Sequence, residues 1–146
     1  MYYVNREAIA SRLRCAPDLG AAASRLASEW RGDLMQGLAQ ERCLHLALEI
    51  VTDIGSFLID GFMMRDAGSY EDIVGVIGGE GVIDAQAADR LRTLVALRRP
   101  LVQDYDLWQR QQLHPLTGEL QGMLESFSEA VKLYLSRELD PWEQER

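Results

Sequence analysis

The sequence lacks several features that would assign the protein to a specialised class. No stretch reaches the length of about 18 uncharged apolar residues that a membrane-spanning helix needs. The first residues also lack the basic start and apolar centre of a secretory signal. No Cys-x-x-Cys pair, internal repeat or low-complexity run is present. These absences argue against zinc-finger and redox-motif proteins, and they predict a cytoplasmic protein with no membrane partner.

Basic residues are also in short supply. Fifteen Lys and Arg stand against 23 Asp and Glu, which gives a formal net charge of −8. A chain with this balance is not expected to coat nucleic acid through its overall charge, so any site for RNA or phosphate must be local. Fourteen of the 15 cations are arginines, whose planar guanidinium group suits phosphate.

The composition that remains is that of an ordinary globular protein. Of the 146 residues, 47% are apolar, 26% are charged and 8% are aromatic, which predicts one domain spanning residues 1–146. A chain of this length can build a core without metal or disulfide. Cys15 and Cys43 stand singly in apolar surroundings, and we expect both to be buried thiols.

Apolar residues at helical spacing predict one long, largely buried helix in the first half of the chain. They form two neighbouring stripes, Cys43, Ala47, Ile50, Ile54 and Phe57, and Leu44, Leu48, Val51, Leu58 and Phe62. The helix is expected to begin near Asp33 and to end in the break at residues 65–68. Before it, Pro17 is predicted to separate two shorter helices.

The second half predicts shorter helices with clear start signals. Ser69 with Asp72 resembles a capping box before a short helix, although residues 73–77 could also form a strand. The glycines at positions 78, 79 and 81 are expected to form a flexible link, and Asp84 to cap the next helix. A last helix carries apolar residues from Leu116 to Leu135 and is stopped by Asp140-Pro141.

Together these segments predict an all-α bundle of about five or six helices with mostly short connections. Because the long helix is apolar over more than one face, a second copy could cover what the bundle leaves exposed. The pattern therefore predicts a homodimer.

The apolar pattern breaks at Arg98. In the helix expected after Asp84, the apolar stripe of Leu91, Leu94 and Val95 continues to position 98 and then to Leu101. This places Arg98 among apolar residues next to a predicted kink at Pro100. Tyr105 is seven residues on and is expected to point the same way, with Arg99 and Gln103 on an adjoining face. Residues 90–103 hold four arginines and no acid. A phosphate could bind at this cluster despite the net negative charge.

A structural explanation of Arg98 stays open beside the phosphate site. Its partner could be Glu49 or Asp53, which with His45 form a polar line at i, i+4 and i+8 on the long helix. Such a line could hold a divalent metal, but a solvated edge or arginine partners explain it more simply. We therefore predict no metal and no cofactor.

The segment Arg98-Arg-Pro-Leu-Val-Gln-Asp-Tyr105 resembles the Arg-x4-His-x-Tyr motif of the HepT-like family, a branch of the all-helical HEPN superfamily. The similarity extends to residues 41–55, to residues 61–73 and to the opening Met-Tyr-Tyr-Val. These segments look most like the YutE-like group of that family. The resemblance covers nearly the whole chain and implies a HEPN/HepT-like helical fold.

The resemblance also implies a function. HepT-like toxins of toxin-antitoxin pairs are metal-independent RNA endonucleases that act in the cleft of a homodimer. A partner antitoxin, a minimal nucleotidyltransferase, modifies the motif tyrosine with AMP. By this resemblance Arg98 and Gln103 take the catalytic positions, and Tyr105 is the candidate for modification. The arginine cluster predicts that Arg98 and Arg99 bind phosphate, and the spacing on the long helix makes Glu49 and Asp53 the supporting acids.

Gln103 departs from the motif, because it occupies the position of the histidine. A glutamine side chain hydrogen-bonds but does not titrate, and loss of a general acid or base costs on the order of 10² to 10⁴ in rate. RNA binding is therefore expected to be retained even where cleavage is lost. His114 could return in space to replace the missing group, or it could be an ordinary loop histidine. A non-catalytic nucleotide-binding, RNA-binding or protein-interaction module is the alternative to a ribonuclease, and a purely structural role for Arg98 is the third possibility.

Overall fold

A computed structural model describes residues 2–139, and within them the chain forms five α-helices and no β-strand. The helices are α1 (Arg6–Ser28), α2 (Leu34–Gly61), α3 (Tyr70–Gly79), α4 (Ala85–Val95) and α5 (Leu120–Glu138). The predicted all-α bundle is confirmed. Asp140-Pro141, the predicted stop of the last helix, lies outside the described residues. No helix in this part of the chain is long and apolar enough to cross a membrane.

The long helix α2 lies at the centre of the bundle and packs against the other four α-helices. Its predicted start is confirmed, since the Asp33 side chain accepts the Gln36 N–H at 2.8 Å as an N-cap. The predicted end is wrong by one turn. The helix ends at Gly61 because Met63 adopts a left-handed conformation (φ 56°) and Met64 donates its N–H to the Ile59 carbonyl at 3.0 Å.

The N-terminal region is one helix rather than two. Pro17 lies inside α1, so the predicted interruption is wrong. Packing of α1 against both α2 and α5 outweighs the hydrogen bond that Pro17 removes. The expectation for Cys15 is also wrong, because its side chain lies on the solvent side of α1 while Ala16 beside it is buried. Cys43 is buried as predicted.

The start signals of α3 and α4 are confirmed. Ser69 accepts the Asp72 N–H at 3.0 Å, and Asp84 accepts the Ala87 N–H at 2.8 Å. The segment after Ser69 is a helix and not a strand. Gly78 and Gly79 were expected to belong to a flexible link, but they lie in the last turn of α3. Of the three glycines only Gly81 lies in the link to α4. Gly81 has a φ of 81°, which only glycine adopts readily.

Candidate functional site

The chain changes its helical geometry at the predicted break. Helix α4 ends at Val95, a π-helical turn follows at Arg99–Gln103, and a 3-10 turn follows at Tyr105–Leu107. The predicted continuous helix with a kink at Pro100 is therefore wrong in its path, although Pro100 does lie in the irregular turn. The Asp104 N–H bonds to the Arg99 carbonyl at 3.0 Å, which closes the wide turn. Such π turns are frequent at functional sites.

Arg98 lies immediately before this turn and is held from two sides. Its Nε lies 3.6 Å from Oε1 of Glu49 on α2, and its Cζ lies 3.8 Å from the ring centroid of Tyr70 at the start of α3. The side chain is only 26% exposed. Its Nε is buried without a hydrogen bond, and within residues 2–139 neither Nη atom forms one. The Nη edge of the guanidinium group is thus available to an anion.

Glu49 contacts a second titratable side chain. Nε2 of His45 lies 3.3 Å from the same Oε1 atom that faces Arg98, and Nδ1 of His45 lies 3.3 Å from Nη1 of Arg42. Asp53, the other expected partner of Arg98, pairs instead with Arg12 of α1 at 3.5 Å. The polar line on α2 is therefore a row of groups that arginines contact. Among residues 2–139 no three His, Cys, Asp or Glu side chains are grouped to hold a metal ion.

The loop that carries Tyr70 is fixed by a bidentate ion pair. Asp72 accepts hydrogen bonds from Nη1 and Nη2 of Arg65 at 2.8 and 3.0 Å, and from the Gly68 N–H at 2.9 Å. The Arg65 hydrogen bonds, followed by that from Gly68, hold the pKa of Asp72 far below its usual range. This contact fixes the loop immediately before Tyr70, the residue over the face of Arg98.

The depressed pKa of Asp72 predicts a pH dependence of stability. A carboxylate whose pKa is lower in the folded state stabilises the protein above the unfolded pKa of about 4, and this contribution is lost as the pH falls towards the folded value. We expect Asp72→Asn to lower stability at neutral pH, and the gap to wild type to narrow between about pH 5 and pH 2. Urea unfolding of both proteins across this range tests it; a gap that stays constant would contradict it.

The other predicted site residues lie on the surface. Arg99 is 79% exposed, with its Nε 3.6 Å from Asp104, and Tyr105 is 59% exposed. Gln103 is exposed as well, and no hydrogen bond or ion pair between described residues joins it or the Tyr105 phenol to Arg98. Among the described residues no contact therefore brings the four polar groups together at Arg98. The π and 3-10 turns rotate each residue by a different angle from the α-helix that the spacing assumed.

The local positive charge is also smaller than the sequence indicated. Every arginine between positions 90 and 103 has a carboxylate within 4 Å, and all four acids come from outside that window. The pairs are Arg90–Glu119, Arg92–Asp89, Arg98–Glu49 and Arg99–Asp104. Any selectivity for phosphate must then come from the geometry at Arg98 and not from unbalanced charge.

The segment that follows the π turn is fixed to α2 by a buried glutamine. Gln40 is fully buried and accepts hydrogen bonds from the His114 N–H and the Thr117 hydroxyl, each at 2.7 Å. Its amide donates to the Gln112 carbonyl at 2.9 Å. Three residues earlier, Gly37 lies so close to the Arg110 backbone that a Cβ there would be 2.1 Å from the carbonyl oxygen.

His114 lies in a different part of this surface from Arg98. It stacks on Trp108 with ring centroids 5.8 Å apart, and its Nδ1 accepts the Leu116 N–H at 3.1 Å. Burial lowers the pKa of His114. The ring lines a groove of about 450 Å³ with Pro100 and Asp104, and Arg98 is not among the residues that line it. The structure gives no contact that would make His114 the substitute for the motif histidine.

Two side chains at Arg98 were missed as site residues. Tyr70 was not among the predicted site residues, and the sequence holds no signal that would place it over Arg98. His45 was considered only within a polar line or a metal site. Its spacing from Glu49 was a usable signal, because i and i+4 residues meet on a helix.

Comparison with known proteins identifies relatives over nearly the full length. A family model described as "Ribonuclease HepT-like" matches residues 14–131. The chain is 36% identical to the protein named "Putative RNase YutE" of Bacillus subtilis (strain 168), over 97% of this chain and 96% of that protein. A solved structure described as "Structure of Cytosolic Protein of Unknown Function YutE from Bacillus subtilis" superposes with a TM-score of 0.84 and 35% identity, and it covers 97% of both chains.

Proposed function

The chain belongs to the ribonuclease HepT-like family, and from that premise we propose that it is an RNA endonuclease that cleaves without a metal ion. Arg98 binds the phosphate at the cleaved bond. The relative named "Putative RNase YutE" supports this activity. The role given to Arg98 is proposed for this chain. The relative whose structure is described as cytosolic supports a cytoplasmic location.

One observation carries the proposal: Arg98 contacts Glu49 through its Nε and Tyr70 through its flat face, while its Nη atoms form no hydrogen bond within residues 2–139. Glu49 at 3.6 Å and the Tyr70 ring at 3.8 Å fix the direction of the guanidinium group. A guanidinium fixed in this way can donate two parallel hydrogen bonds to a phosphate. It then stabilises the charge that develops on the non-bridging oxygens during cleavage.

RNA cleavage in the presence of EDTA tests the activity directly. A single-stranded RNA labelled at its 5′ end is incubated with the purified protein and an excess of EDTA. We expect fragments that end in a 2′,3′-cyclic phosphate, because without a metal the neighbouring 2′-hydroxyl is the nucleophile. A control substrate with 2′-O-methyl groups throughout should stay intact. If the protein cleaves no more RNA than buffer alone does, the nuclease proposal is wrong.

The second candidate is a binding module with the same pocket and no cleavage. Two observations favour it, since Gln103 does not titrate and the arginines of this region already face carboxylates. The same experiment separates the two candidates. A binding module retards the labelled RNA in a native gel and leaves it intact, whereas a nuclease shortens it.

Tyr105 supports a proposal about regulation. Its phenol is 59% exposed on a 3-10 turn, so an enzyme could reach it. We propose that a minimal nucleotidyltransferase antitoxin transfers AMP from ATP to this oxygen, as the toxin-antitoxin analogy implies. A phenol of pKa about 10 attacks the α-phosphate only when a partner enzyme helps to remove its proton.

Mass spectrometry tests the modification of Tyr105. After incubation with a nucleotidyltransferase encoded beside this chain, and with ATP and magnesium, we expect one AMP on the wild type and none on Tyr105→Phe. Tyr3, which is 83% exposed, is the internal control tyrosine and should stay unmodified. AMP at Tyr3 but not at Tyr105, or no AMP at all, would contradict the analogy.

The proposed assembly is a homodimer. Large apolar side chains are exposed at the start of α2, at Leu34, Met35 and Leu38, and Leu107 after the π turn is 72% exposed. Covering such residues with a second copy would remove apolar surface from water. Light scattering on the protein as it elutes from a size-exclusion column gives the mass directly. A monomer mass at micromolar concentration would contradict the dimer.

A further inference from the structure

Two titratable side chains meet beside Arg98 without a role in the proposed cleavage. Oε1 of Glu49 lies 3.6 Å from Nε of Arg98 and 3.3 Å from Nε2 of His45, so one carboxylate oxygen contacts both the arginine and the histidine. The three side chains are between 26% and 32% exposed. They contact one another, and each side chain is partly exposed to solvent.

The hydrogen bonds of His45 define which ring nitrogen carries the proton. A guanidinium group only donates, so Nδ1 of His45 accepts from Arg42. Nε2 then carries the hydrogen and lies 3.3 Å from Oε1 of Glu49. His45 and Glu49 are therefore close enough for a proton to pass between them.

We propose that Glu49 is the general base and His45 the general acid at the Arg98 site. This inference rests on the proposed RNA cleavage and supplies the proton transfers that Gln103 cannot perform. In the motif the titratable group follows the arginine on the same segment. In this chain the pair is on α2, across the site from that segment.

The cleavage step balances with these groups. The Glu49 carboxylate takes the proton of the 2′-hydroxyl while the 2′-oxygen forms its bond to phosphorus. The bond from phosphorus to the 5′-oxygen breaks, its electron pair stays on that oxygen, and protonated His45 supplies the proton from Nε2, which leaves its remaining proton on Nδ1. The proton on Glu49 then returns to His45 across their 3.3 Å contact, which restores both groups. The products are a 2′,3′-cyclic phosphate and a 5′-hydroxyl.

The charges that face His45 come from its own helix and from the segment after α4. The acid form of His45 carries a proton on Nδ1, so Arg42 must turn away. Arg42 is exposed on α2 and has room to do so. On α2 the neighbouring charged groups are Arg42, Glu49 and Glu41, and Glu41 is paired with Arg110. From the other elements they are Arg98 after α4 and Tyr70 of α3, which lies over Arg98.

Two variants with matched controls test the pair in the EDTA cleavage experiment. We expect Glu49→Gln and His45→Asn each to lower the cleavage rate at least about 100-fold. The controls are Glu119→Gln, another carboxylate paired with an arginine, and His114→Asn, the other histidine; both should cleave at the wild-type rate. Glu49→Gln keeps the size of the side chain and a polar oxygen facing Arg98, so a merely structural role would leave the rate nearly unchanged.

The pH dependence of cleavage separates the two roles. A general base must be deprotonated and a general acid protonated, so the wild-type rate should fall at both low and high pH. In Glu49→Gln the residual rate should no longer fall at low pH, and in His45→Asn it should no longer fall at high pH. Wild-type rates in both variants, or an unchanged pH dependence, would overturn the inference and leave the proposed function standing.

NMR tests the placement of His45 beside a phosphate bound at Arg98, and it does so independently of the cleavage experiment. The chain has two histidines, so two Cε1–H signals report on the site, assigned with His114→Asn. Thymidylyl-thymidine, which lacks the 2′-hydroxyl, is the probe. We expect it to shift the His45 signal in the wild type and not in Arg98→Ala, with His114 unchanged. A His45 signal that does not respond in the wild type would overturn the inference.

Discussion

Arg98→Ala should abolish RNA cleavage while the protein unfolds at nearly the same denaturant concentration. Removing one preorganised donor that stabilises developing charge costs on the order of 10² to 10³ in rate, so we expect at least a 100-fold loss. The substitution removes from the fold only a partly exposed ion pair with Glu49 and a cation–π interaction with Tyr70. Together these are worth about 1 kcal/mol.

Arg25→Ala is the matched control for this experiment. Arg25 also pairs with a carboxylate, Glu29 at 3.2 Å, but it lies on α1 and is 78% exposed. This variant should cleave like the wild type. Arg98→Lys should recover little activity, because an ammonium group has neither the flat face that Tyr70 covers nor the two parallel donors. Full activity in Arg98→Ala would exclude Arg98 from the chemistry. A loss of several kcal/mol in stability would instead assign it a structural role.

Gln40→Leu should produce the largest loss of stability among the polar substitutions. The change leaves the His114 N–H and the Thr117 hydroxyl without their acceptor and the Gln112 carbonyl without its donor. Unsatisfied buried groups cost about 1–3 kcal/mol each, and relaxation towards water recovers part of this, so we expect a loss of about 3 kcal/mol. Because Gln40 fixes the loop after the π turn, that loop should also exchange its amide hydrogens faster.

Gln86→Leu is the control for Gln40→Leu. Gln86 lies exposed on α4, and within residues 2–139 its side chain forms no hydrogen bond. Its substitution should change the free energy of unfolding by less than about 0.5 kcal/mol. Urea unfolding of the three proteins gives both values. If the two variants were equally stable, Gln40 would not anchor the loop.

The features that the sequence predicted well are those set by neighbouring residues. Asp33, Ser69 and Asp84 each cap a helix because the oxygen of an N-cap side chain accepts an N–H only two or three residues away. The two apolar stripes of α2 predicted its burial, since helical spacing alone puts those residues on the faces that pack. Such signals need no knowledge of the rest of the fold.

The features that were predicted wrongly depend on contacts between distant parts of the chain. Pro17 was expected to divide α1, but packing of α1 against two other helices maintains one helix. Cys15 was expected to be buried, but the apolar residues near it in sequence lie on the other side of the helix. The cation cluster at residues 90–103 was expected to carry excess charge, but acids such as Glu49 and Glu119 are brought to it by folding.

The candidate site was predicted in part. The position of Arg98 among apolar residues and Glu49 as its possible partner came from helical spacing. The π turn could not be predicted, because the spacing argument assumes a constant rotation per residue. That assumption placed Gln103 and Tyr105 beside Arg98, and no hydrogen bond between described residues joins them to it. Tyr70 over the guanidinium group belongs to another helix, and no local pattern indicates it.

Binding of a 2′-O-methyl RNA to the wild type and to Arg98→Ala tests most directly whether Arg98 contacts phosphate, because this ligand binds without being cleaved. Fluorescence anisotropy at several salt concentrations gives both Kd and its salt dependence. We predict that Arg98→Ala weakens binding at least about tenfold, and that the slope of log K against log salt becomes shallower by about 0.7, the value for one phosphate on a single strand. Equal affinity and equal slope in the two proteins would contradict the central claim.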